Sequence, residues 1–104
     1  LSFDLKKPDT PNVNFVKRTR RGVAVSIENQ NYLSVEVILQ TNKGEKAFVV
    51  NERNDQQGFI VKNNLASVLI NSGKKVAEQT ASLKLRVRNK NLQWSSFTSD
   101  IRLD

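Results

Sequence analysis

Residues 82–91 read SLKLRVRNKN and alternate without a break. Leu83, Leu85 and Val87 fall on one side, and Lys84, Arg86, Arg88 and Lys90 on the other. A side-chain period of two defines a strand with one buried and one solvated face. The apolar face needs a second layer to cover it, so this stretch predicts a packed sheet. The opposite face is a row of four cations, the sharpest functional signal in the chain.

The rest of the sequence supplies partners for that strand. Asn12 to Lys17 alternates through Val13 and Phe15, after a segment bracketed by Pro8 and Pro11 that must be loop or edge. Val23 to Glu28 places Val23, Val25 and Ile27 on one face. Tyr32 to Thr41 is the longest β-favourable run, with Val35, Val37 and Leu39 facing in and Ile38 facing out. Lys46 to Asn51 and Gly58 to Lys62 are short strands, with polar turns at 29–31 and 42–45 and a polar loop at 52–58. Leu65 to Ile70 reads as a strand or irregular segment in preference to a helix that Val76 would extend, and 71–75 as a turn. After a turn at 89–91, Leu92 to Asp104 offers Trp94, Phe97, Ile101 and Leu103 to the core.

About seven short strands with no clear helix indicate an all-β antiparallel sandwich of two sheets. With 104 residues the chain forms one domain over 8–104, preceded at 1–7 by a linker or short edge strand. A first residue other than Met suggests a processed protein or a piece of a longer one.

The order of these pieces resembles a fibronectin type III module. Pro8 and Pro11 lead into the first strand, VAVSI stands for the second, and Tyr32 through Leu39 for the third. Leu83, Leu85, Val87, Asn89 and Asn91 follow the pattern of the sixth strand, and Trp94-Ser95-Ser96-Phe97 precedes the last. Ile27 replaces that family's core Trp and Leu83 its corner Tyr, so the broader expectation is an immunoglobulin-like β-sandwich. The resemblance implies a spacer or adhesion module of a larger extracellular, cell-surface or virion protein. Its partners would be other domains or another protein.

The absence of His and Cys removes the usual nucleophile and base pairs and the common metal ligands. The ten carboxylates fall in polar loops or on outward strand positions, and the four glycines are isolated in turns. The acidic, amide-rich run 51–55 lacks the alternating ligands of a calcium loop. Neither an enzyme nor a cofactor or metal site is expected. No apolar run approaches the length of a membrane-spanning helix.

A net charge of +7 makes an anionic partner the main alternative: nucleic acid or an anionic glycan. Lys84, Arg86, Arg88 and Lys90 would stand about 6.5–7 Å apart along a strand, a spacing suited to successive anionic groups. Lys17, Arg18, Arg20 and Arg21 form a second candidate lobe, read as a solvated turn. With Trp94 and Phe97 assigned to the core, no aromatic side chain is expected among the cations to stack on bases.

Overall fold

A computed structural model of the chain describes residues 7–28, 32–51, 59–62 and 64–103, the side chains of Phe59 and Lys62 excepted. Of the expected linker or short edge strand over 1–7 only Lys7 is described, and the expected turn at 29–31 and loop at 52–58 lie outside the described residues. The elements are β1 (Val13–Arg18), β2 (Val23–Glu28), β3 (Ser34–Thr41), β4 (Gly44–Asn51), β5 (Phe59–Lys62), β6 (Leu65–Ile70), α1 (Lys74–Gln79), β7 (Thr80–Arg88) and β8 (Ile101–Arg102). They form two four-stranded sheets, β1-β2-β6-β5 and β4-β3-β7-β8, antiparallel throughout. This is the expected two-sheet β-sandwich, with eight strands among the described residues instead of about seven.

The core is what the alternation dictates. Val23, Val25, Ile27, Ala66, Val68 and Ile70 face inward from one sheet, and Val35, Val37, Leu39, Leu83, Leu85 and Val87 from the other. Each Val, Leu or Ile among them contributes about 1.5–3 kcal/mol when fully buried. Register sets the faces: Val35, Val37 and Leu39 lie opposite Val87, Leu85 and Leu83, which leaves Glu36 opposite Arg86 and Ile38 opposite Lys84 on the outer side. Ile38 is half-buried there.

Two expectations are corrected. The stretch 65–77 is two elements: a strand to Ile70, as favoured, and then a one-and-a-half-turn helix where a turn was expected. Gly73, at φ +90°, redirects the chain between them. Ala77 is buried, and the Thr80 hydroxyl donates to the Val76 carbonyl at 2.7 Å, closing the helix onto β7. Arg18, placed in a solvated turn by its neighbours, is the last residue of β1. Its Nε donates to the Ala77 carbonyl (3.1 Å) and its Nη2 to the Thr80 carbonyl (2.6 Å), so it ties β1 to the helix end. The Ala77 carbonyl also accepts the backbone N–H of Thr80, so the guanidinium adds a second donor there and supplies one to the Thr80 carbonyl at the helix end.

Tyr32, the one tyrosine in the chain, is buried where β3 begins. Burial raises the pKa of its hydroxyl above the ordinary 10.0, and Asp9 and Glu28 push it the same way. The folded state then holds a proton that the unfolded chain releases first. Stability is full below pH 10 and falls as pH rises beyond it. A tyrosinate absorbance titration is expected to give a midpoint above 10.0 in the native protein and an ordinary one in denaturant. An ordinary midpoint in both would show that Tyr32 is not desolvated.

Candidate functional site

The outer face of β7 carries Lys84, Arg86 and Arg88 as the alternation requires, each half-buried. Their company differs from expectation. Trp94 and Phe97 stand on this face and not in the core. The Arg86 Cζ lies 4.7 Å from the Phe97 ring centroid and 4.6 Å from that of Trp94. Lys84 Nζ is 5.1 Å from Phe97, and Arg88 Cζ is 5.6 Å from Trp94. The result is a stack in the order Lys84, Phe97, Arg86, Trp94, Arg88. Each contact contributes about 0.5–1 kcal/mol at an exposed site and about 2 when desolvated. Arg86, between two rings, also donates through Nε to Glu36 Oε1 at 2.6 Å.

The reason lies in residues 94–98. Ser95 donates its backbone N–H to the Val87 carbonyl (2.8 Å) and accepts the Val87 N–H on its hydroxyl (3.1 Å). Thr98 repeats the arrangement three residues on, with the Leu85 carbonyl (2.8 Å) and the Leu85 N–H (3.1 Å). Hydroxyls thus replace carbonyls as acceptors for the open edge of β7. Three residues here span the height of two on β7, so this segment is wound more tightly than a strand. Residues three apart share a face: Ser95 and Thr98 turn to β7, Trp94 and Phe97 to the cations. A period of two would have sent one ring inward.

Lys90 does not join the row. Strand β7 ends at Arg88, and Lys90 is exposed in a turn that Asn89 pins by accepting the Asn91 and Gln93 N–H groups at 3.0 and 3.1 Å. Of the second lobe, Lys17 is exposed on β1 with its Nζ 5.8 Å from the Phe15 ring, Arg18 is engaged as described, and Arg20 and Arg21 are exposed in the β1–β2 turn. The two lobes belong to different sheets and do not form one patch.

The outer face of the other sheet is apolar. Phe15 on β1 and Ile60 on β5 are 46% and 64% exposed. Ala24, Ser67 and Leu69 lie between them, and the small side chains of the central strands leave a trough of about 260 Å³ with Lys17 on its lining. Among the described residues no group of His, Cys, Asp or Glu could hold a metal ion. Nor is any helix there long and apolar enough to cross a membrane. The chain matches no family model, no curated protein and no solved structure.

Proposed function

We propose that the chain is a non-catalytic module of a larger surface, secreted or virion protein, serving as a spacer and a protein contact. The strand order β1-β2-β6-β5 against β4-β3-β7-β8 supports an immunoglobulin-like or fibronectin type III-like reading. The observation that carries the proposal is where the chain enters and leaves the sandwich. It enters β1 at Asn12, whose carbonyl accepts the N–H of Glu28 at the end of β2. It leaves at Leu103, whose N–H bonds to the Ala81 carbonyl at the start of β7. The Arg18 bond to Thr80 places that start beside the end of β1. Entry and exit are therefore at opposite ends, as a module linked in series requires.

Tension along that axis would pull β1 against β2 and residues 94–103 against β7. Both interfaces would be loaded in shear, with many hydrogen bonds resisting together. The stack over β7 closes the second of them, and in this reading Lys84, Arg86 and Arg88 serve as part of the clasp. Protein contact is supported by the apolar trough. A partner presenting an apolar segment flanked by carboxylates fits it, because Lys17 stands on its lining and a net charge of +7 opposes a second copy.

Single-molecule stretching between the ends tests the spacing role. One high-force unfolding event is expected, moved to lower force by Arg86→Ala. Unfolding at low force, indifferent to that substitution, would refute a tension-bearing module.

A further inference from the structure

A group of exposed cations lies at the exit end. Three segments distant in sequence meet there: the β1–β2 turn, the β3–β4 turn and α1. The N–H of Gly73 bonds to the Arg21 carbonyl at 2.8 Å, which sets Arg20 and Arg21 beside Lys74 and Lys75. The N–H of Asn42 bonds to the Gln79 carbonyl at 3.3 Å, which brings Lys43 to the other end of the same helix. All five cations are exposed. Glu78 approaches Lys74 at 4.0 Å, whereas Arg20, Arg21, Lys43 and Lys75 pair with no carboxylate among the described residues.

From this we infer that the end built by Arg20, Arg21, Lys43, Lys74 and Lys75 is a binding site for a sulfated polysaccharide. Like charges held together on hydrogen-bonded turns raise the local potential and gain most from a polyanion that releases its counterions on binding. The chemistry is neutralisation of sulfate by exposed cations. Nucleic acid fits less well. Arg20, Arg21, Lys74 and Lys75 have no ring contact among the described residues; Trp94 and Phe97 are engaged by β7, and Phe15, the ring beside Lys17, lies on the outer face of the other sheet. A base bound to these cations would find no ring of the described residues in contact with them to stack on. The site is independent of the β7 row, whose cations are stacked on Trp94 and Phe97.

The test compares two triple variants. Arg20→Gln/Arg21→Gln/Lys75→Gln removes charge at this end, and Lys7→Gln/Lys46→Gln/Lys90→Gln removes the same charge elsewhere from exposed positions. Each lowers the net charge from +7 to +4. Affinity for heparin, measured across a salt series, is expected to fall about tenfold or more in the first variant, with a shallower salt dependence, and far less in the second. Thermal unfolding verifies that both remain folded, and Lys74→Gln/Lys75→Gln repeats the measurement without touching the β-turn. Equal losses in the two triple variants would reduce the effect to net charge and overturn the site. Tighter binding to single-stranded DNA than to heparin at equal salt would overturn the ligand class.

Discussion

Arg86→Ala is expected to lower the stability of the domain by about 3 kcal/mol, a fall in Tm of roughly 10–20 °C. Three losses add to that figure. The guanidinium leaves two rings, at about 0.5–2 kcal/mol each. Its stem no longer packs between them. The third concerns Glu36, whose side chain is only 17% exposed and which is left as a carboxylate without its partner. Removing one member of a buried pair is worse than replacing both, although exposure of 31% at Arg86 moderates the effect here. Glu36→Gln should therefore be milder than Arg86→Ala, since an amide oxygen still accepts from Nε. Chemical denaturation of the two variants checks the ranking, and a larger loss for Glu36→Gln would place the stabilisation in the ion pair instead of the stack.

The second large effect is steric. A Cβ on Gly22 would lie 1.8 Å from the Ile70 carbonyl oxygen and 2.8 Å from the Ser72 nitrogen. Both are backbone atoms, so no side-chain rotation relieves the clash. The β1–β2 turn would have to separate from the end of β6, where Val23 pairs with Ile70. Gly22→Ala is expected to destabilise by about 4 kcal/mol or to prevent folding. At Gly44, by contrast, a Cβ meets nothing within 4 Å, and only its φ of +112° opposes a side chain. Gly44→Ala should then be weaker, at about 1–2 kcal/mol. Equilibrium unfolding of both variants provides the comparison, and similar values would mean that the close approach at Gly22 is readily relaxed.

These two positions also mark what could be read from the residues and what could not. The alternation of Leu83, Leu85 and Val87 against Lys84, Arg86 and Arg88 was fully legible, because a strand period leaves no freedom in which side a residue takes. The same holds for Val23, Val25 and Ile27 and for Val35, Val37 and Leu39. These runs were enough to define a sandwich. The place of Trp94 and Phe97 was not legible by that rule. Their segment is not a strand, and its hydroxyl-mediated pairing gives a repeat of three. The signal was present in the spacing of Ser95 and Thr98 and of Trp94 and Phe97, but only the open edge of β7 gives it meaning.

The short helix escaped for a different reason. Six residues with one buried alanine carry too little periodicity to distinguish from a turn. Arg18 looked like one member of a charged run, and only the position of α1 reveals the carbonyls it serves. The basic end is a product of topology. Arg20 and Arg21 are visible in the sequence, but Lys43, Lys74 and Lys75 join them only through the turns that Gly73 and Asn42 hold in place.

The protein's own rings close over the cationic row of β7. A double-mutant cycle between Arg86→Met and Trp94→Leu measures that contact most directly, since each change keeps an apolar body in place while removing one half of the interaction. The expected result is a coupling energy of about 1–2 kcal/mol, with each single variant less stable than the parent. Strictly additive losses, or single variants as stable as the parent, would contradict it and leave Arg86 held by Glu36 and not by the Trp94 ring.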